Sequence, residues 1–160
     1  MAAKVGVNLT ARGWMLVTAE SCTGGWAGQA ITAISGSSAW YERGFITYSN
    51  TSKHEMLGVQ KTTLDQFGAV SPQTATEMAA GALNRSYAQI SIAITGIAGP
   101  DGGTAEKPIG MVCFGWAHKN GLIRQETYYF NGNRETIRYQ AVITALQGVL
   151  KLIDEIPLIA

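Results

Sequence analysis

Trp14-Met15-Leu16-Val17, then Thr18-Ala19-Glu20-Ser21-Cys22-Thr23-Gly24-Gly25, then Trp26 with Ala30, Ile31 and Ile34 spaced along one side: on this stretch the fold turns. The apolar run reads as a buried first strand, and the recurrence that begins at Trp26 reads as a helix. Upstream, residues 1 to 12 form a helix with Val5 and Leu9 one turn apart, and Gly13 is a natural C-terminal stop. Ser21 therefore lies where a strand turns into a helix, the repeating joint of an α/β sheet.

Working outward, Ser35-Gly36-Ser37-Ser38 breaks the second helix and Gly44-Phe45-Ile46-Thr47-Tyr48 makes a second strand. Lys53 follows at the start of a short helix. Two short helical pieces end at Gly58 and Gly68, and Ser71-Pro72 supplies an N-cap and a proline suited to the first helical position of a longer helix running towards Tyr87. Gln89 to Thr95 is a strand buried on both faces, followed by the glycine-rich stretch Gly96 to Pro108. Ile109 to Ala117 and Leu122 to Phe130 flank Asn120-Gly121, a hairpin signal, and pair antiparallel. From Arg134 to Asp154 the apolar residues Ile137, Ala141, Ala145 and Leu152 mark a C-terminal helix, with Pro157 beyond its end. The expected fold is a three-layer α/β/α domain, 1–160, on a mixed, mostly parallel sheet of about five strands that ends in an antiparallel hairpin. There is no internal repeat and no linker.

Composition narrows the function. The chain has 160 residues, enough for one core. With 12 basic against 11 acidic residues it has no field to gather nucleic acid or an anionic membrane. No apolar run approaches the length of a membrane span and no signal peptide is legible, so a cytoplasmic protein is expected. Cys22 and Cys113 cannot form a disulfide framework, and no Cys/His cluster has metal-ligand spacing; free thiols, no metal and no organic cofactor are expected. The low charge and the open edges of such a sheet favour a homo-oligomer.

Three segments carry chemistry. A serine at a strand-to-helix turn can present its oxygen beside unpaired helix N–H groups, which suits an attacking hydroxyl; the plainer reading is an N-cap with Gly24-Gly25 allowing close packing. Tyr48 and Lys53 lie just past the second strand, on the edge where open α/β sheets build their sites. Lys53 is the obvious base, provided its pKa, ordinarily near 10.4, falls by about 3 at a cost of roughly 4 kcal/mol. Otherwise it is a solvated helix lysine. His54 and His118 read as surface or core residues. In Thr95-Gly96-Ile97-Ala98-Gly99-Pro100-Asp101-Gly102-Gly103-Thr104 the glycines let backbone N–H groups approach an anion, although a long structural turn would look the same. It is neither a Walker A loop nor a dinucleotide fingerprint. Arg134 and Arg138 share one face at the beginning of the last helix, a placement for a phosphate clamp or for plain surface.

Thr18 to Gly25, Gly44 to Asn50 with Lys53, Leu57-Gly58-Val59, Gly68-Ala69-Val70-Ser71 and Thr95 to Gly103, in this order and spacing, resemble the CinA C-terminal domain family over nearly the whole chain. The stand-alone, PncC-type members hydrolyse the carboxamide of nicotinamide mononucleotide to nicotinate mononucleotide and ammonia. The resemblance implies a three-layer α/β/α fold and catalytic roles for Ser21, Tyr48 and Lys53. Larger relatives add a nucleotide-pyrophosphatase domain, for which this sequence has no residues, so deamidase activity alone is expected. In the implied reaction Lys53 takes the Ser21 proton, N–H groups at the helix start stabilise the oxyanion, and Tyr48 relays a proton or orients Lys53. Thr23, Gly24, Thr95, Gly99, Gly102, Gly103, Arg134 and Arg138 are the candidates for holding the nucleotide. The competing readings are a non-catalytic nucleotide-binding or competence-related regulatory domain, against which the three intact residues weigh, and an amidase for another nucleotide-like carboxamide.

Overall fold

The computed structural model describes residues 1–158. Helix α1 (Ala2–Arg12) ends as expected at Gly13, whose left-handed backbone lets the Gly13 and Trp14 N–H groups return to the Thr10 and Leu9 carbonyls. This is a Schellman closure, and it corrects the reading of the first strand. Trp14 is spent on the cap, and strand β1 is Leu16–Glu20, displaced towards the polar turn. Its polar residues belong to the sheet because β1 is flanked by strands on both sides and every one of its residues is buried.

Helix α2 (Trp26–Thr32) and a 3-10 turn at Ser37–Ala39 lead to β2 (Tyr41–Ile46), which begins and ends earlier than the sequence suggests. The Thr47 N–H still bonds to the Glu20 carbonyl, but beyond it the chain leaves the sheet and Tyr48 is exposed. Helices α3 (Asn50–Leu57), α4 (Lys61–Phe67) and α5 (Pro72–Asn84) follow; Gly58 and Gly68 sit at the ends of the first two, and the Ser71 hydroxyl caps α5. Strand β3 (Ile90–Gly96), the hairpin β4 (Met111–His118) and β5 (Ile123–Tyr129), and helix α6 (Arg134–Asp154) complete the chain.

The sheet order is β2-β1-β3-β4-β5. β1 runs parallel to both neighbours, while β3–β4 and β4–β5 are antiparallel. Alternation along the strands divides the core into two layers. Leu16, Ile90, Ile92, Ile94, Val112, Phe114 and Trp116 pack under α1, α2 and α6. Val17, Ala19, Ala93 and Ala117 lie on the other face against Leu57, Met78, Ala79 and Ala82. The side chains on this second face are smaller, so α5 comes close: a Cβ on Gly115 would stand 2.5 Å from the Ala75 carbonyl oxygen. The expected α/β architecture is the observed one, and its parallel strands β2, β1 and β3 all end on one edge. Among the described residues no helix is long and apolar enough to cross a membrane.

Candidate active site

β1 is the middle of the three parallel strands, and Ser21 is the first residue past its end. The Ser21 N–H bonds to the Ile94 carbonyl of β3, which fixes where the turn begins. Gly24 and Gly25 then take φ of +58° and +107°, values that a side chain would strain, and bend the chain into α2. Lys53 arrives from the other side. The Ser49 hydroxyl and the Ser52 side chain form a reciprocal cap that starts α3 one turn before it.

The Lys53 side chain is only 2% exposed, and its Nζ lies 3.0 Å from Ser21 Oγ and 3.0 Å from the Thr47 carbonyl oxygen. No carboxylate pairs with it among the described residues. Burial without a compensating anion disfavours the ammonium and pushes the Lys53 pKa below its ordinary value. The neighbouring Cys22 thiol is pushed up to about 12, chiefly by burial and against the pull of Arg138, so it stays protonated. A hydroxyl in hydrogen-bond contact with a desolvated amine has the geometry that an activated nucleophile requires, and the adjacent thiol, kept protonated, lacks it. His54 bonds to the Val59 carbonyl and His118 packs against Trp14; neither reaches this pair. Cys22 and Cys113 are free thiols. Among the described residues no three His, Cys, Asp or Glu side chains gather to hold a metal.

The helix-start N–H groups expected to stabilise an oxyanion are already taken. The Glu20 carboxylate, 2% exposed, accepts from the N–H groups of Gly25, Ala27 and Gly28 and from the Thr23 hydroxyl. The sequence places the first strand at Trp14 to Val17 and so leaves Glu20 in the turn beyond it; only the pairing of Glu20 with Ile46 and Ile94 at the end of β1 marks it for burial. In the turn, the Gly24 N–H bonds to the Ser21 carbonyl and the Trp26 N–H to the Thr23 carbonyl. The Cys22 and Thr23 N–H groups have no acceptor among the described residues.

Tyr48 does not contact Lys53 through a hydrogen bond. Its hydroxyl accepts from Arg134 Nη2 at 3.0 Å, while Arg134 Nη1 donates to the Gly99 carbonyl at 2.7 Å. Tyr48 follows β2 and Gly99 follows β3, so Arg134 bridges the two strand ends on either side of Ser21. Arg138 lies deeper: Nε and Nη2 donate to the Cys22 and Thr23 carbonyls, both at 3.0 Å, and the guanidinium covers Trp26 at 5.3 Å. Thr95 is buried and donates to the Ala69 carbonyl. In the glycine-rich loop, Gly99 has φ of +76° and, like Gly103, backs onto Ile109, where a Cβ would come within 2.6 Å and 2.8 Å of its side chain. Gly102 is exposed with space around it. Ser21, Thr23, Gly24, Lys53 and Arg138 thus form one cluster, Tyr48, Arg134 and Gly99 its rim, and the other named residues stand farther along the same edge.

Residues 1–153 match the CinA C-terminal domain family model. The nicotinamide-nucleotide amidohydrolase PncC of Enterobacter agglomerans is 51% identical, with 94% of this chain and 92% of that protein covered. The one from Pseudomonas putida is 43% identical over 95% and 94%. The crystal structure of competence/damage inducible protein CihA from Agrobacterium tumefaciens superposes with a TM-score of 0.92 at 49% identity, covering 94% and 92% of the two chains. With the family model matched over residues 1–153 and the fold superposing on a related crystal structure along nearly its whole length, this chain belongs to the CinA C-terminal domain family.

Proposed function

We propose that this chain hydrolyses the carboxamide of nicotinamide mononucleotide to nicotinate mononucleotide and ammonia, with Ser21 as nucleophile and Lys53 as base. The observation that carries the reading is the buried, unpaired Lys53 amine 3.0 Å from the Ser21 hydroxyl; the amidohydrolase names of relatives at 43% to 51% identity supply the substrate. Neutral Lys53 accepts the Ser21 proton as Oγ bonds to the carboxamide carbon. The negative charge moves to the carboxamide oxygen, towards the Cys22 and Thr23 N–H groups, the first of which belongs to the residue after the nucleophile as in other strand-to-helix serine turns. The Lys53 ammonium returns the proton to the nitrogen, the C–N bond breaks, and ammonia leaves a Ser21 ester. Water, deprotonated by Lys53, attacks the ester carbon, and Ser21 recovers its proton as the acid departs.

The two arginines take different parts. Arg134 sits at the exposed rim and is suited to exchange the Tyr48 hydroxyl for the phosphate while it keeps the Gly99 carbonyl, whereas Arg138 is occupied in holding the nucleophile turn. Tyr48, released by Arg134, stands at the same exposed rim. Ammonia release by the purified protein from nicotinamide mononucleotide, nicotinamide riboside, nicotinamide and NAD tests the reading. The mononucleotide should be turned over fastest; no release from any of the four would overturn it in favour of a binding role.

A further inference from the structure

We infer that Glu20 is the positioning residue of this site, whose buried carboxylate clamps the turn so that only the Cys22 and Thr23 N–H groups face the charge that develops when Ser21 attacks. The inference rests on the amidohydrolase reading above and names what prepares its oxyanion-stabilising groups. Burying a carboxylate is costly unless hydrogen bonds replace its water. Glu20 Oε1 accepts from Thr23 Oγ1 at 2.7 Å, the Ala27 N–H at 2.8 Å and the Gly25 N–H at 3.3 Å, and Oε2 accepts from the Gly28 N–H at 3.1 Å. A short helix does not need this much, since one N-cap side chain ordinarily suffices. Here the N-cap residue is Gly25, with no side chain, and the carboxylate reaches over from the end of β1. The strand end and the helix start are thereby tied together across the turn that carries Ser21.

Arg138 holds the other side of the same turn through the Cys22 and Thr23 carbonyls. In a planar trans peptide the N–H points opposite to the carbonyl, so with the Cys22 carbonyl turned to Arg138, the Thr23 N–H points away from it. Glu20 also removes the competing helix-start donors, which would otherwise spread over several directions. Its part is therefore geometric and needs an ion that only accepts.

Glu20→Gln keeps the size but sets an NH2 group against N–H donors, so at least one of the four bonds is lost. A small displacement of this kind should lower kcat for ammonia release by about 100-fold. KM and the acid limb of the pH profile should stay in place, because substrate contacts and Lys53 are untouched. A second readout separates positioning from general loosening. Pyridine-3-boronic acid takes Ser21 Oγ as a fourth substituent on boron while the Ser21 proton passes to Lys53, and this charged tetrahedral adduct presents an oxygen to the same N–H groups. Its affinity should fall in step with kcat/KM, whereas the affinity of nicotinate mononucleotide, which forms no adduct, should be unchanged. Should Glu20→Gln fail to fold, Thr23→Val, which deletes the hydroxyl donor to Oε1, should show the same pattern more weakly. A folded variant that keeps wild-type kcat and boronate affinity, or that loses boronate and product affinity equally, overturns the assignment of Glu20. Ser21→Ala serves as the control: undiminished boronate affinity there would instead overturn the nucleophile reading and this inference with it.

Discussion

Arg138→Ala should slow the hydrolysis of nicotinamide mononucleotide and of nicotinamide riboside by the same factor, while Arg134→Ala should impair the mononucleotide alone. Arg138 makes two charge-assisted bonds to the carbonyls of the turn beside Ser21 and lies over Trp26. Bonds of this type contribute about 1.5 to 3 kcal/mol each. If about 2.8 kcal/mol of the pair's total serves to hold the turn during attack, losing it slows turnover about 100-fold. That loss is blind to the phosphate, because the turn lies at the reacting carbon. Arg134 is exposed and bridges Tyr48 and Gly99; one charge-assisted contact to a phosphate is again about 1.5 to 3 kcal/mol, or about 13- to 160-fold in preference for the mononucleotide. The assay is steady-state ammonia release with both substrates for the wild type and each variant, compared as the ratio of kcat/KM values. A loss confined to the mononucleotide in Arg138→Ala would show that Arg138 reads the phosphate and is no brace. Equal losses for both substrates in Arg134→Ala would refute the rim assignment.

Ser21→Ala should abolish turnover while leaving melting temperature and substrate affinity nearly unchanged, since it removes one hydroxyl from a turn held elsewhere; a folded variant with rapid turnover excludes Ser21 as nucleophile. The acid limb of the kcat profile should lie below pH 10.5, the ordinary lysine value, because burial lowers the Lys53 pKa and the neutral amine is the active form. Stability follows with a definite sign. Between the lowered folded value and 10.5 the unfolded chain binds more protons, so Lys53 weakens the fold as pH falls through that window. Lys53→Met carries no such penalty: in denaturant titrations its stability relative to wild type should be greatest at low pH and should decline as pH rises to 10.5. A stability difference independent of pH would mean that Lys53 stays charged in the fold.

Local signals determined a large part of this molecule. Gly13 ends α1, Ser71-Pro72 begins α5, Asn120-Gly121 turns the hairpin, and the helical spacing from Arg134 to Asp154 marks α6, because each depends on the conformational preferences of neighbouring residues. The placement of Ser21 past one parallel strand and Lys53 past the next was legible for the same reason, and parallel strands with aligned ends bring the two together. Interactions between distant residues decided the rest. Tyr48 turned outward to meet a guanidinium from a helix far along the chain. Arg134 and Arg138, equivalent in sequence as two residues on one helical face, separated into rim and brace because α6 descends past the turn, so that the second arginine meets the two carbonyls beside Ser21 while the first, exposed, meets the Gly99 carbonyl and the Tyr48 hydroxyl. Glu20 acquired its part only when β1 was enclosed between β2 and β3: a carboxylate that has lost its water must take its hydrogen bonds from whatever donors are in reach, and those were the N–H groups that the sequence had offered to the substrate.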